Sequence, residues 1–261
     1  MNLNLAGKVA LVVASSQGLG KAIAAQLVEE GAYVMITSRD EEKLQKTKQE
    51  LEFIGKGKVE YFRADITNPD EIKLLVKVTN EVFGEIDILV NNAGGPPGGD
   101  FEKFSDEDWI SAFNLNLLSY IRVIREVLPD MKKRGGRIIN IASSSIKVPI
   151  PGLILSNTFR TGIVGLSKSL AEELGQFNIL VNVIAPGRIA TDRVAFLDQM
   201  KADKQGVTRE EIEEKSKNTI PLGRYGKPEE FAKVVAFLVS DASTYITGSS
   251  LIIDGGLVKA I

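Results

Sequence analysis

Two periodicities share this chain. Seven short runs are almost continuously apolar: KVALVVA (8–14), YVMITSR (33–39), KVEYFRADI (58–66), IDILVNNAG (86–94), GRIINIASS (136–144), ILVNVIAPG (179–187) and SSLIIDGG (249–256). Their length and β-branched content predict strands buried on both faces. The segments between them repeat apolar residues at helical spacing. GKAIAAQLVEEG, DEEKLQKTKQELEFIG and NPDEIKLLVKVTNEVFG predict the first three helices, the last with Pro69 near its start. Residues 106–135 predict one long helix or two, and a further helix is expected from about 157 to 176. Strand–helix alternation of this kind predicts an α/β fold, a parallel sheet with helices on both faces.

One region interrupts the alternation. Residues 188–224 are polar and mostly helical in pattern, and they follow the sixth strand. In an open α/β sheet the ligand crevice lies beyond the carboxyl ends of the strands. An insertion there is placed to be a lid or substrate loop. No linker, repeat or low-complexity segment divides the chain, so one domain over 1–261 is expected.

Composition then removes whole classes of chemistry. The 261 residues include no cysteine and no histidine, and the net charge is -2. Disulfides, thiolate nucleophiles and a Ser-His-Asp triad are excluded. Zinc is not expected, because only carboxylates remain as strong ligands. A near-neutral charge gives no footprint for nucleic acid or an anionic membrane. No apolar run is long enough to span a bilayer. The N-terminus resembles neither a signal nor a transit peptide, so a cytoplasmic protein is expected.

The candidate chemistry sits at strand ends. In VVASSQGLGKAIA, Gly18 and Gly20 let backbone approach a pyrophosphate, and the helix start supplies amide donors. The plainer alternative is a tight turn that only packs helix on sheet. The second strand ends in TSRD. An acid there would bind the ribose of NAD, whereas Arg accommodates the 2′-phosphate of NADP. Ser38 and Arg39 therefore favour NADP(H), with NAD(H) as the lesser option, unless Arg39 is merely a solvated helix-opening charge. The loop GGPPGGDF (94–101) either walls a pocket or simply joins strand to helix. The aliphatic residues of 145–155 line a pocket or an interface.

SSQGLG, NNAG (91–94), PG (186–187) and DGG (254–256) fall on successive strand ends, and together they resemble the short-chain dehydrogenase/reductase family. The likeness runs from about Gly7 to Gly256, and its nearest general type is the 3-oxoacyl-acyl-carrier-protein reductases. It implies a single Rossmann-type doubly wound domain with about seven strands, a homotetramer and a small carbonyl or alcohol substrate. It also implies a binding set. Ser15, Ser16, Gln17, Gly18, Leu19 and Gly20 would surround the pyrophosphate, and Asp65 and Ile66 the adenine. Asn92, with Ala93 and Gly94, would lie near the adenosine ribose. Pro186, Gly187, Ile189 and Thr191 would hold the nicotinamide carboxamide and phosphate. The turn departs from the family pattern, with Val13-Ala14 where Thr-Gly is usual. Alanine fits there if its dihedrals are helical or extended.

The larger departure is in LSNTFRTGIVGLSKSLA (155–171). The family works with Asn, Ser, Tyr and Lys. Asn116 and Ser143 match the first two, but Ser156 and Arg160 stand where Tyr and Lys are implied. A phenol has a pKa of about 10 and a lysine neighbour lowers it, whereas a serine hydroxyl is a far weaker acid. Arg keeps the positive charge and can still meet ribose hydroxyls, but it relays no proton. Ser156 is also expected to cap its helix. Three readings stand: a divergent oxidoreductase using Ser143, Ser156 and a water, a nucleotide-binding sensor or partner subunit without turnover, and non-redox chemistry in the same pocket.

Overall fold

A computed structural model describes residues 2–260; the expected domain limits at 1 and 261 lie outside the described residues. Seven strands form one all-parallel sheet in the order β3-β2-β1-β4-β5-β6-β7. They are β1 (Val9–Val13), β2 (Tyr33–Ser38), β3 (Lys58–Arg63), β4 (Ile88–Asn91), β5 (Gly136–Ile141), β6 (Ile179–Pro186) and β7 (Ser250–Ile253). The helices are α1 (Gly18–Glu29), α2 (Glu41–Glu52), α3 (Pro69–Phe83), α4 (Asp106–Phe113), α5 (Ser119–Arg134), α6 (Ile154–Leu174), α7 (Asp192–Gln205), α8 (Arg209–Lys217) and α9 (Pro228–Val239). None of them is long and apolar enough to cross a membrane.

Alternate side chains of each strand go to opposite faces. Leu11 and Val13 of β1 pack with Leu75 of α3, Val123 and Val127 of α5 and Ile163 of α6. Ala10 and Val12 turn the other way, onto Ile23 and Leu27 of α1 and Phe231 and Val235 of α9. Two apolar layers therefore sandwich the sheet, as the unbroken apolar runs require.

The sheet reverses its order between β1 and β4. Their carboxyl ends diverge into separate loops, which is where a crevice opens in such sheets. A ladder of buried amides holds the ends of β4 and β5 against α6. Asn91 Nδ2 donates to Asn140 Oδ1 at 2.9 Å, and Asn140 Nδ2 donates to Ser167 Oγ at 2.9 Å.

The span 106–134, expected as one long helix or two, is α4 and α5 joined by a π-turn over Asn114–Leu118. Two local features differ from the sequence reading. Helix α6 begins at Ile154, three residues earlier than expected, with Leu153 as its N-cap. Ser156 is therefore inside the first turn and caps nothing. Finally, Ala14 has φ +50°, in the left-handed region. A helical or extended backbone, the condition for alanine to fit there, is absent.

Candidate active site

Ala14 begins the turn that opens the cleft. A side chain at Gly20 would meet the Ala14 carbonyl oxygen at 2.4 Å, so glycine is required where the turn folds back under α1. Ser15 is fully buried. Its hydroxyl donates to the Val12 carbonyl at 2.6 Å and accepts from Thr37 N–H at 3.0 Å. Ser15 and Gly20 thus build the turn from within and do not face the cleft. Ser16, Gln17, Gly18 and Leu19 do. Helix α1 starts without a side-chain cap, so its first amides are free to donate outward. Gly18 has φ +58°, and a Cβ there would have only the Thr191 side chain near it, at 3.9 Å. Open donors, no crowding and a helix start are what a pyrophosphate fits.

The cleft is continuous, about 1620 Å³, and runs over the ends of β1, β2, β4, β5 and β6. At one end lie Ser38, Arg39, Lys43, Asp65 and Ile66. Asp40 accepts from Lys43 N–H as the cap of α2. That bond holds its carboxyl below the ordinary value and occupies the acid nearest the strand end. Arg39 and Lys43 supply positive charge at the same place. Burial alone would raise Asp65, but the amide and hydroxyl of Thr67, helped by Arg39 and Arg63, keep it ionised. Asn92, Ala93 and Gly94 continue the cleft from β4, and Asn92 Nδ2 donates to the Ala14 carbonyl at 3.1 Å. Pro186, Gly187, Ile189 and Thr191 line the side leaving β6. These residues fit a nicotinamide dinucleotide.

The other end holds Ser143 and Ser156. Ser143 follows β5, and its Oγ accepts from Ser145 N–H at 3.2 Å. Ser156 is 9% exposed in the first turn of α6. Asn116 is fully buried on the π-turn and does not reach the cleft surface. Its amide donates weakly to Ala112 O at 3.3 Å, and its Oδ1 has no partner.

Arg160 departs most from expectation. It lines the cleft but is 4% exposed. Nη1 donates to the Tyr120 hydroxyl and to the Ile141 carbonyl, both at 2.8 Å, and Nη2 donates to the Ala93 carbonyl at 3.0 Å. The guanidinium is engaged by protein acceptors at the ends of β4 and β5. The sequence reading did not single out Tyr120. The phenol is 1% exposed and donates to Ile141 O. Burial pushes its pKa up, with Arg160 opposing.

The remaining walls come from three segments. Gly98, Gly99 and Asp100 belong to the loop after β4, which is tied to the next wall by Gly99 N–H donating to Gly152 O at 2.7 Å. Ile150, Pro151 and Leu153 supply the apolar side. Helix α7 contributes Arg193, Leu197, Met200, Lys201 and Lys204. Its middle is anchored where buried Asp198 accepts from Arg188 Nη1 at 2.5 Å and from the Tyr225 hydroxyl at 2.8 Å. Tyr225 does not line the cleft. Arg193 also escaped the sequence reading, although ATDRV places it in the first turn of α7.

Comparison with known proteins agrees with this geometry. Residues 13–258 match a family model described as enoyl-(acyl carrier protein) reductase. The chain is 38% identical to the 3-oxoacyl-(acyl-carrier-protein) reductase FabG of Thermotoga maritima over 98% of this chain and 100% of that one. Among solved structures it is similar to a variant of actinorhodin polyketide ketoreductase with NADPH, at TM-score 0.92, 36% identity and 96% and 97% coverage of the two chains. It is also similar to L-sorbose reductase from Gluconobacter frateurii complexed with NADPH and L-sorbose, at TM-score 0.95, 31% identity and full coverage of both. The likeness spans the sheet, the glycine turn and the cleft alike, and the chain belongs to the short-chain dehydrogenase/reductase family of oxidoreductases.

Proposed function

We propose that the protein is an NADPH-dependent reductase of a small carbonyl compound. One observation carries the reading: a single cleft joins the uncapped start of α1 to the hydroxyls of Ser143 and Ser156. Arg39 and Lys43, with Asp40 committed to its helix, favour the phosphorylated dinucleotide. The relatives that bind NADPH support the same choice.

When bound, the cofactor supplies hydride, and the chain supplies position and polarity. Ser143 already accepts one hydrogen bond, which leaves its own hydroxyl proton to donate to the substrate oxygen. Ser156 offers a second hydroxyl. Neither is an acid near neutral pH, so the proton that ends on the product oxygen comes from water held by these groups. Arg160 adds a permanent positive charge beneath them. Oriented donors of this kind stabilise a developing oxyanion without proton transfer. Losing the acid itself costs about 10²–10⁴-fold in rate, so turnover is expected to be slow. A cytoplasmic homotetramer accompanies this reading by family resemblance.

A second reading has its own support. Arg160 is spent on protein oxygens, and Ser156 puts a serine hydroxyl where the family has a phenol. A nucleotide-binding subunit without turnover would look the same.

Calorimetry with NADPH and NADH, followed by NADPH oxidation against ketones, diketones, quinones and sugars, separates them. The reductase reading expects NADPH to bind about tenfold tighter than NADH, Arg39→Ala to erase that margin, and at least one carbonyl to turn over. Binding without turnover in the native chain, together with turnover gained by Ser156→Tyr with Arg160→Lys, would favour the second reading.

A further inference from the structure

One charged side chain at the substrate end lies apart from the hydroxyls of Ser143 and Ser156 and from the glycine turn. Arg193 is the second residue of α7 and is half-buried in the cleft wall. Its Nη2 donates to the Pro96 carbonyl at 2.8 Å, and its guanidinium lies 5.7 Å from the Phe196 ring. Among the described residues no carboxylate pairs with it. Arg188, five residues earlier, is neutralised by Asp198, so the contrast is local. Gly95 makes the room: a Cβ there would stand 3.0 Å from Nη2 and 3.4 Å from Cζ.

A second cation stands close enough to be felt. Burial, and then the charge of Arg160, make the Arg193 guanidinium less basic than usual. It stays protonated at any working pH all the same. Two guanidinium groups line the same cleft, Arg160 almost buried and Arg193 half-buried, and among the described residues neither is paired with a carboxylate. Such an arrangement is costly unless an anion completes it. The other acids on the cleft do not. Asp40 and Asp65 are engaged at the far end, and Asp100 and Asp192 are exposed. Lys103, Lys201 and Lys204 add further positive charge to the same walls.

We propose that Arg193 is the carboxylate-binding residue of this cleft, and that the carbonyl substrate is a keto acid. The proposal rests on the reductase reading and names its substrate class. A guanidinium presents a planar fork that matches a carboxylate with two parallel hydrogen bonds. The bond to Pro96 fixes the fork and leaves its other donors free. The competing source of negative charge is the dinucleotide pyrophosphate. Arg193 reaches the loop after β4, at Gly95 and Pro96, and not the Gly18–Leu19 turn. That placement favours the substrate.

The test compares pyruvate, acetoacetate and levulinate with their methyl esters, using NADPH and reading kcat/KM. At least one acid should exceed its ester by about 10–100-fold, the worth of a charge-assisted pair. Arg193→Leu and Arg193→Gln should bring that ratio to about one. Arg193→Lys should keep part of it, and Gly95→Ala, which crowds the fork, should lower it partway. The NADPH Kd should stay within about twofold throughout. An acid-to-ester ratio near one in the native chain, or one that survives Arg193→Leu, would overturn the proposal. So would a rise in NADPH Kd as large as the loss on the acid, since the anion would then be the cofactor's. If no carbonyl turns over, the reductase reading fails separately, and saturation-transfer NMR of butyrate against butyramide on the NADPH-loaded protein decides the site. A butyrate signal lost in Arg193→Leu supports it, and equal signals from both probes overturn it.

Discussion

Arg160 Nη1 donates to the Tyr120 hydroxyl at 2.8 Å, and both groups donate to the same Ile141 carbonyl. This closed triangle, extended to Ala93 through Nη2, ties α5 and α6 to the ends of β4 and β5. Tyr120→Phe keeps the ring and removes the hub of the triangle. It should cost about 1–3 kcal/mol, since the buried bond accepted from Arg160 and the bond donated to Ile141 are both lost. Arg160→Met should cost more, about 2–4 kcal/mol, because the Ala93 carbonyl and the Tyr120 hydroxyl lose the donor Arg160 gives them and the Ile141 carbonyl keeps only Tyr120. Urea unfolding checks both. A loss for Arg160→Met no larger than for an exposed site would show that the triangle stabilises nothing.

The turn at Ala14 stores strain. A left-handed non-glycine residue costs about 1–2 kcal/mol, and glycine gives back about 0.5–1 kcal/mol in chain entropy. Ala14→Gly should therefore stabilise the protein by about 0.5–1 kcal/mol, raising the thermal midpoint by about 1–4 °C. Gly20→Ala has the opposite sign. Its Cβ would stand 2.4 Å from the Ala14 oxygen, so the turn must open and NADPH binding should fall at least tenfold by calorimetry.

Asp198 holds α7 by accepting from Arg188 and Tyr225. Burial, with the carboxylate's charge in support, pushes the Tyr225 phenol upward, so the bond persists through neutral pH. Asp198→Ala leaves Arg188 and Tyr225 without their acceptor. It should cost about 1–3 kcal/mol and expose residues 192–217 to limited proteolysis before the rest of the chain. Cleavage at the native rate would show that α7 is held by its apolar contacts alone.

Glu230 gives a pH signature. Arg224 grips it with two nitrogens at 2.8 and 2.7 Å, and the Lys227 amide donates to it at 2.7 Å. The Arg224 fork is the main cause of a pKa lowered from 4.5 to about 2. A depressed carboxyl stabilises the fold fully above its unfolded value and loses that contribution as pH falls. The native chain should therefore exceed Glu230→Gln by a constant margin above pH 5. The margin should shrink between about pH 4.5 and 2. Urea midpoints across that range read it directly, and a margin that does not change with pH would count against the linkage.

The strands were legible because buried parallel strands must be apolar on both faces, as VALVV and ILVNVIAP are. The cofactor end was legible too, since a glycine turn and a strand-end arginine carry their chemistry in residue type. Other features left no such mark. The start of α6 follows Ile154 and Leu155, whose packing outweighs the capping preference of Ser156. The φ of Ala14 is dictated by the path of the turn, and alanine gives no sign of it. The partners of Arg160 are mostly backbone carbonyls, which every residue possesses, so no spacing reveals them. The π-turn that buries Asn116 is equally silent.

Arg160 sits under the cleft floor, almost sealed from solvent. An ammonium there would be a variable, gaining or losing its proton as its surroundings changed. A guanidinium is a constant. Salt screens a buried charge little. Whatever binds above it meets that charge at low and high ionic strength alike. This floor therefore operates as a fixed bias and not as a switch.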